Sequence, residues 1–350
     1  MKRWVAQMLI LCFLFAVNFN QSSAQVDPAL EYHLVWQTEL DQRVELVEWR
    51  PQSDIVAVAA ENVVILLSAQ TGEEIRRIEI AEYSPIADMA WNSNGSLFAA
   101  GDIDGWVHIY NEQWEETATF FALWLLALEW HPFRDELLTV NDSETSAHAY
   151  EDLRVTVWTL EGEVKHTLKS LRSVGDIEFS PDGQYLAGVK WNIQGIVWDA
   201  ESYSIDHHIS LIPSPGTFSD SHFAQSMAWS PDSQRIAFLS NNNVTEIFSF
   251  VVWDITDRKW VQEVQGADAF LYSLSWHPQA ELLASAWGDG TVRIWDMITY
   301  RDVLTIDVPT IIGREGIIYS LISSVAWSPD GQFLAVTNVA GFVQVWRIES

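Results

Sequence analysis

The chain is poor in cysteine and in positive charge, and each shortage excludes a class of function. Its one cysteine, Cys12, lies near the N-terminus, so a disulfide framework, a thiolate metal site and a cysteine nucleophile are excluded elsewhere. Nineteen Lys and Arg stand against 48 Asp and Glu, which gives a formal net charge of −29. Such an acidic surface, without a local basic cluster, repels phosphate groups, so we expect no nucleic-acid partner and no binding to anionic membranes.

Long apolar runs are also missing, apart from one near the N-terminus. The run from Val5 to Val17 follows Lys2 and Arg3 and is too short to cross a hydrocarbon core of about 30 Å. Ser22-Ser23-Ala24 supplies the small residues of a cleavage site. We therefore expect a signal peptide over residues 1–24, no membrane span in the mature chain, and a periplasmic or extracellular protein. An uncleaved anchor is the alternative.

What the chain does contain is a repeat that fills the mature sequence. Seven short segments of alternating apolar residues each end in an aromatic residue and run into a turn. The segments are Val44–Trp49, Ile86–Trp91, Leu125–Trp130, Val174–Phe179, Ala224–Trp229, Leu271–Trp276 and Ile322–Trp327. A unit of about 46 residues repeated seven times indicates a propeller or solenoid rather than several domains.

Each unit shows the same order of strand and turn signals. After the aromatic comes a turn, best seen in Ser180-Pro-Asp-Gly183 and Ser328-Pro-Asp-Gly331, where Pro and Gly suit a type I turn. A strand of small apolar residues, a second turn, a β-branched strand and a weaker fourth strand follow. Four antiparallel strands repeated seven times predict an all-β, single seven-bladed β-propeller.

The sequence motifs of the units resemble those of one family. Trp198-Asp199, Trp253-Asp254 and Trp295-Asp296 each close a third strand, and with the Ser-Pro-Asp-Gly turns they are similar to the WD-repeat (WD-40 repeat) propellers, here of a bacterial-type exported kind. The family commonly places a His nine residues before the first aromatic, where it joins an Asp/His/Ser-Thr/Trp hydrogen-bond network. No unit here has that His, so the resemblance implies the blade but not this network.

The last unit points to how the ring closes. The units are assigned to residues 41–80, 81–120, 121–169, 170–210, 211–265, 266–307 and 308–350. The seventh has no fourth strand after Trp346, and the strand-like residues 32–40 have no unit. Because an open sheet edge invites aggregation, we expect residues 32–40 to pair antiparallel with Gly341–Ile348, with Leu34 and Trp36 buried. A disordered tail is the alternative.

One face of the propeller carries the candidate binding residues. The longest connections all project from the face that the resemblance makes the partner-binding "top", and insertions confined to one face often mark a binding face. The position six residues before the aromatic that ends each first strand should lie on the rim of this face. Two tryptophans predicted in loops of the same face are further candidates. The candidates are Arg43, Trp124, Phe223, Phe270, Leu321, Trp191 and Trp287. Two other interpretations remain: neutral drift in loop length, and insertions that fold down over these aromatics.

Catalytic and metal-binding motifs are absent from the sequence. We find no His-x-x-x-His, no Gly-x-Ser-x-Gly and no phosphate-binding glycine loop. His131 and His277 occupy Trp-His-Pro turns, where turn chemistry explains them. We therefore expect no cofactor, no metal and no enzyme, although a site assembled from several blades would leave no local motif.

Three functions remain open on the sequence. The first is a non-catalytic exported scaffold that binds a protein or peptide, and the net charge favours a cationic one. The second is a carbohydrate-binding propeller in which Trp124, Trp191 and Trp287 stack on sugar rings. The third is a hydrolase or lyase with its site in the central channel, which would require an inward-pointing cluster of titratable residues with perturbed pKa values.

Overall fold

The computed structural model describes residues 30–141, 154–168, 174–190, 194–210, 222–223, 226–242, 247–266, 269–308, 311–312, 318–319 and 322–349. All regular elements within those residues are β-strands, and apart from one small pair they form seven antiparallel blades of a closed ring. The predicted all-β, seven-bladed propeller is confirmed. The predicted signal peptide, residues 1–24, lies outside the described residues.

Blades 1 to 4 each follow chain order from an inner to an outer strand. Blade 1 contains β2 (Val44–Trp49), β3 (Ile55–Ala60), β4 (Val63–Ser68) and β5 (Glu74–Glu79); blade 2 contains β6 (Ile86–Trp91), β7 (Leu97–Asp102), β8 (Trp106–Asn111) and β9 (Glu116–Phe121). Blade 3 contains β10 (Leu125–Trp130), β11 (Leu137–Asn141), β12 (Arg154–Trp158) and β13 (Val164–Leu168); blade 4 contains β14 (Val174–Phe179), β15 (Tyr185–Lys190), β16 (Gln194–Asp199) and β17 (Ile205–Ser210).

Blades 5 and 7 depart from this plan, whereas blade 6 follows it. In blade 5, β18 (His222–Phe223) and β19 (Met227–Trp229) both pair with β20 (Arg235–Asn242), followed by β21 (Ile247–Asp254) and β22 (Lys259–Gln265). Blade 6 contains β23 (Leu271–Trp276), β24 (Leu282–Trp287), β25 (Thr291–Asp296) and β26 (Arg301–Asp307). A small pair, β27 (Ile311–Ile312) and β28 (Ile318–Tyr319), precedes blade 7, which contains β29 (Ile322–Trp327), β30 (Phe333–Asn338), β31 (Phe342–Glu349) and β1 (Glu31–Glu39).

The ring closes through β1, as the sequence predicts. Strand β1 pairs antiparallel with β31, with Trp36 opposite Val345. The Trp36 indole is buried against blade 1, where its Nε1 donates a hydrogen bond to the Ala69 carbonyl at 2.7 Å. Leu34 differs from the expectation, because a register shift between Leu34 and Trp36 leaves it exposed. The interpretation of residues 32–40 as a disordered tail is therefore wrong. Of the two side chains expected to be buried, Trp36 is buried and Leu34 is not.

The turns after the inner strands are held by side-chain acceptors. Ser180 Oγ donates to Asp182 Oδ1 at 2.7 Å and accepts the backbone N–H of Tyr185 at 2.9 Å. In the Trp-His-Pro turn, His277 Nδ1 accepts the backbone N–H of Ala280 at 2.9 Å. Histidine thus supplies the acceptor that serine supplies elsewhere, which confirms turn chemistry as its role.

Part of the polar interior that the family's His would organise is still present. Ser285 Oγ lies 2.7 Å from the Trp295 indole Nε1, and Thr139 Oγ1 lies 2.9 Å from Trp158 Nε1, with each hydroxyl accepting from the indole. These bonds tie the second strand of a blade to its third. The hydroxyl–tryptophan half of the network persists because it needs no histidine.

Candidate functional site

Three segments of blade 2 and its neighbours meet on one face. In an antiparallel blade the connections alternate between faces, so the connection before the first strand and that between the second and third strands emerge together. The Ile103 backbone N–H donates to the Pro85 carbonyl at 3.0 Å, and that of Ala122 donates to the Gly105 carbonyl at 2.7 Å. We call this the upper face.

These segments carry a cluster of exposed, large apolar side chains, which we call the upper-face patch. Trp124 is 57% exposed and Tyr83 is 87% exposed. The rings of Trp106 and Phe121 lie 5.2 Å apart, and both remain exposed. The patch consists of Tyr83, Ile103, Trp106, Phe121 and Trp124. Grouped exposed apolar side chains on a soluble protein mark an interaction site far more often than single ones do.

Backbone geometry holds Trp124 in place on this patch. Its φ is +49°, a left-handed conformation that costs a residue with a Cβ roughly 1–3 kcal/mol. Gly105, with φ +105°, lies beneath it, and a Cβ there would stand 2.7 Å from the Leu123 backbone nitrogen. The close approach of these two loops therefore requires glycine at 105 and fixes the course of the chain at Trp124.

A second aromatic group lies on the upper face between blades 5 and 6. Phe270 and Phe248 have ring centroids 4.7 Å apart, and Phe270 and Tyr272 have centroids 6.3 Å apart. Phe248 is buried, whereas Phe270 and Tyr272 are exposed. The buried ring thus supports two that face solvent, and Tyr272 also lines the central channel.

The structure places the seven predicted rim residues very differently. Trp124 and Phe270 are exposed, and Arg43 is exposed and ion-paired with Glu45, with Nε and Oε1 2.8 Å apart. Phe223 lies in β18, and its side chain is not among those described; Leu321 and Trp191 lie outside the described residues.

Trp287 corrects the sequence interpretation. It ends β24 rather than lying in a loop, its side chain is fully buried, and its Nε1 donates to Ser285 Oγ at 2.7 Å. It therefore offers no surface on which a sugar ring could stack, because β24 runs one residue further than its small-residue core suggested. Sequence reasoning also missed four of the five patch residues, which lie in loops and at strand ends of separate segments.

The central channel is the second candidate site. It encloses a cavity of about 780 Å³, lined by the inner strands of all seven blades. Along each inner strand the residues one and three before the final aromatic face this cavity. In blades 1 to 4 those positions hold five acids, which we call the channel carboxylates: Glu48, Asp88, Glu129, Asp176 and Glu178. In blades 5 to 7 they hold serine and alanine instead, so the channel has an acidic wall and a hydroxyl wall.

Enclosure by the ring raises the pKa of every channel carboxylate. It raises the pKa of Glu48 to about 8, that of Asp176 to about 8 and that of Asp88 to about 7. The pKa values of Glu129 and Glu178 are raised well above the usual range by the same enclosure, and neighbouring carboxylates add to it. Glu48 is exposed to the channel and the other four are half-buried, so none of the five side chains is fully removed from solvent.

Some of these side chains have a structural role between blades. Each inner strand is the edge of its sheet, and its N–H groups lack a partner strand on that side. Asp88 Oδ2 accepts the backbone N–H of Leu128 in the next blade at 2.7 Å. Ser275 Oγ does the same for Trp327 at 3.0 Å. The polar inner positions thus link successive blades around the ring, and a carboxylate and a hydroxyl serve equally well.

Glu178 also links to the next blade, since a backbone hydrogen bond from Trp229 opposes the rise of its pKa. Its Oε2 oxygen is buried and has no hydrogen-bond partner. In the part of the chain that the structure describes, no group of three or more His, Cys, Asp or Glu is arranged to hold a metal ion. The channel does contain the inward-pointing titratable cluster that a channel site requires. Its sequence signal was visible as the acids at alternate positions of Val44–Trp49, Ile86–Trp91, Leu125–Trp130 and Val174–Phe179.

Fold and site together define a seven-bladed propeller with an exposed aromatic patch above and an acidic channel at its centre. A family model described as "Anaphase-promoting complex subunit 4 WD40 domain" matches residues 47–132, and one described as "WD domain, G-beta repeat" matches residues 258–296 and 316–347. These matches, with WD-repeat relatives, support a WD-repeat family for the chain.

The relatives extend the likeness over most of the chain. It is 24% identical to the WD repeat-containing protein slp1 of Schizosaccharomyces pombe over 88% of this chain and 59% of that protein. It is 22% identical to the transcriptional corepressor LEUNIG_HOMOLOG of Arabidopsis thaliana over 75% of this chain and 30% of that protein. A stretch of 81 residues, 23% of this chain and 8% of the relative, is 42% identical to mouse Coronin-7.

The chain therefore spans at most 59% of the length of these curated relatives. They are eukaryotic, so they do not bear out a bacterial-type exported member. Within the described residues, the structure contains no helix with the length and apolarity needed to cross a membrane.

Proposed function

We propose that this chain is a non-catalytic scaffold that binds a protein or peptide partner through its upper-face patch. The observation that carries the proposal is the grouping of five exposed large apolar side chains on three adjoining segments. Trp and Tyr are the residues that most often dominate binding energy at interfaces, and the backbone around Trp124 is rigidly determined by Gly105. A preformed aromatic surface loses little conformational entropy when a partner binds.

We expect loss of the patch to weaken partner binding selectively. Trp124→Ser combined with Phe121→Ser removes two aromatic anchors, and anchors of this kind contribute about 2 kcal/mol or more each. Affinity should fall at least about tenfold, the equivalent of about 1.4 kcal/mol. The measurement is quantitative retention of partners from the exported fraction, followed by affinity titration of each purified partner.

Phe133→Ser is the matched control for this experiment. Phe133 is a 71% exposed aromatic in the turn between β10 and β11, on the opposite face of the ring. It should retain the same partners as the unaltered chain. Equal retention by the patch variant, or equal loss by the control, would contradict an upper-face binding site.

We propose further that the partner is cationic and that the protein acts after export. The net charge of −29 attracts a positive partner over long range. Association rates should then fall as salt rises and the Debye length shortens to about 8 Å at 0.15 M. On-rates that stay constant between 0.02 and 0.5 M salt, about a fivefold change in Debye length, would contradict the cationic partner.

Export rests on the pattern of residues 1–24 and has its own test. Cleavage near Ala24 should give a mature chain that begins at Gln25. Mass determination of the protein recovered from periplasm or medium checks this. A full-length chain retained in the cytoplasm would contradict export while leaving the upper-face site intact.

A further inference from the structure

A cavity lies between blades 7 and 1 on the lower face of the ring, opposite the upper-face patch. Its volume is about 490 Å³, which lies within the range of small-molecule sites. Its walls come from the turns that follow β2, β4 and β29. Trp49, Asp54 and Ala69 of blade 1 and Phe333 of blade 7 are among the residues that line it. We call it the blade 7–1 cavity.

The corresponding groove between blades 5 and 6 is filled by an arginine. The Arg235 guanidinium lies over the Trp276 ring, 5.2 Å from its centroid. Its Nη1 donates to the Met297 carbonyl at 3.1 Å, and its Nη2 donates to the Glu281 carboxylate. A flat guanidinium group can stack on an aromatic ring and donate to acceptors in its own plane at the same time. Blade 6 thus supplies the ring, the carbonyl and the carboxylate, and blade 5 supplies the cation.

Blade 1 presents the same three groups to the blade 7–1 cavity. Trp49 ends its inner strand, as a tryptophan does in blade 6. The Ala69 backbone N–H donates to the Asp54 carbonyl at 2.9 Å. In blade 6 the Met297 N–H donates to the Glu281 carbonyl at the same distance. Ala69 therefore corresponds to Met297, and Asp54 corresponds to Glu281.

Blade 7, in contrast, does not supply an arginine to this cavity. The Phe333 backbone N–H donates to Ser328 Oγ at 2.9 Å, and in blade 5 that of Arg235 donates to Ser230 Oγ at 2.9 Å. Phe333 therefore stands at the arginine position. Its ring lies beside that of Trp49, with centroids 6.4 Å apart, and it carries no hydrogen-bond donor. The cation that completes the groove between blades 5 and 6 is thus missing between blades 7 and 1.

The acceptors of blade 1 retain capacity for a ligand. The Ala69 carbonyl accepts the Trp36 indole N–H at 2.7 Å, but a carbonyl oxygen has two lone pairs. Asp54 Oδ2 accepts from Gln70 Nε2 at 2.8 Å, and a carboxylate has about four acceptor sites. Asp54 is exposed, so a ligand can reach it from solvent.

The charges around the cavity favour a cation and disfavour a carboxylate. Asp54 and Asp330 both line it, and none of the described lining residues is Lys, Arg or His. The neighbouring cation is Arg347 on β31. It lies over the Phe333 ring, 5.8 Å from the centroid, and its Nε is 2.8 Å from Glu349 Oε1. It is not among the lining residues, so a bound carboxylate would have no counter-charge in the cavity.

We propose that the blade 7–1 cavity binds the guanidinium group of an alkylguanidinium compound that has no carboxylate beside that group. The guanidinium stacks on Trp49 and donates to the Asp54 carboxylate and to the Ala69 carbonyl, as Arg235 does to the matching groups of blade 6. A small alkylguanidine and an arginine side chain within a peptide both carry this chemistry. The site lies on the face opposite the upper-face patch and does not rest on the function proposed for it.

The test is calorimetric titration of the full chain with n-butylguanidinium at pH 7.5 and 0.15 M salt. We expect saturable binding of one ligand per chain. n-Butylammonium should bind at least about fivefold more weakly, because an ammonium group lacks the planar set of donors. Equal affinity for the two ions would overturn the assignment of the cavity to a guanidinium group.

Asp54→Asn and a matched variant separate the cavity from the acidic surface. Asp54→Asn should weaken butylguanidinium binding at least about fivefold, since it removes the charged acceptor. Asp135 stands five residues after its inner-strand aromatic, as Asp54 does, and is also exposed. Asp135→Asn should leave binding within about twofold. Unchanged binding by Asp54→Asn, or equal loss in both variants, would overturn the proposal. Melting curves check that both variants fold.

Arg235→Ala tests the match between the two grooves. Removing this side chain should open a second guanidinium site beside Trp276 and Glu281, so the folded variant should bind two butylguanidinium ions per chain. The ligand should also raise the melting temperature of this variant more than that of the unaltered chain, because it restores the lost contacts. No gain in stoichiometry would overturn the correspondence on which the proposal rests.

The remaining arms identify the source of the guanidinium group. Affinity for Nα-acetyl-arginine amide equal to that for butylguanidinium supports an arginine side chain within a peptide. Affinity at least about tenfold lower supports a small alkylguanidine, because the peptide backbone is then excluded. Free arginine should bind more weakly than its acetylated amide, and tighter binding would contradict a site without a carboxylate partner. The Trp124→Ser/Phe121→Ser variant should bind butylguanidinium normally, so failure of one site is recognisable without reference to the other.

Discussion

A chain that begins at Gln42 is expected to be insoluble, or to melt far below one that begins at Gln25. Strand β1 is the fourth strand of blade 7, and its loss leaves β31 as an open edge on the ring. The Trp36 side chain and its hydrogen bond to Ala69 are lost with it. Full burial of one such side chain is worth roughly 1.5–3 kcal/mol, against a net stability of about 5–15 kcal/mol.

Two point variants within β1 sharpen this prediction. Trp36→Ala should cost about 3–5 kcal/mol, the range for a large aromatic removed from a core. Leu34→Ala, on the same strand but exposed, should change stability by no more than about 0.5 kcal/mol. Denaturant titration measures both. Equal melting temperatures for the long and short chains, or equal cost for the two point variants, would contradict closure by β1.

The propeller is expected to lose stability as pH rises from about 5 to 9. The pKa values of Glu48, Asp88 and Asp176 are raised in the folded ring to about 8, 7 and 8, above the usual values near 4 in the unfolded chain. Between those values the folded state binds more protons than the unfolded state. The stabilisation is therefore complete below about pH 4 and is lost as pH passes through 7 to 8.

Removing channel acids should flatten this dependence. One pKa unit corresponds to about 1.4 kcal/mol, and because channel water screens each group, we expect about that much per carboxylate at pH 9. Asp176→Asn combined with Glu178→Gln should raise the melting temperature at pH 9 by several degrees and change it little at pH 5. The surface controls Asp135→Asn and Glu161→Gln account for the general effect of net charge. Identical pH profiles for the channel and surface variants would contradict the prediction.

Periodicity determined the fold because each propeller blade is a local unit. The alternation in Val174–Phe179, the turn at Ser180–Gly183 and the aromatic end at Trp198 concern neighbours within one blade. These contacts join residues that are close in the sequence, so the periodic pattern predicts them directly. The unpaired edge beside Trp346 predicted the closing strand for a related reason: a blade lacking one strand must obtain it from elsewhere.

The sequence periodicity could not predict whether residues at the ends of strands are buried. Trp287 ends a strand and Trp124 follows one, both on the upper side, yet Trp287 is fully buried and Trp124 is 57% exposed. The difference depends on a single residue of strand length and on a hydroxyl, Ser285, that accepts the buried indole N–H. Local pattern does not fix either, because both depend on packing across the sheet.

The sequence by itself determined the seven blades, their turns and the strand that closes the ring. Only the tertiary structure decided that Tyr83, Trp106 and Trp124 share one surface, since they come from three different segments of the chain. It likewise decided that five acids from four blades face a common channel, where enclosure raises their pKa values. In the sequence, each acid is an ordinary polar residue of an alternating strand. Closure of the ring brings the acids together and limits the water around them. Both effects depend on distances in space, which a linear pattern does not contain.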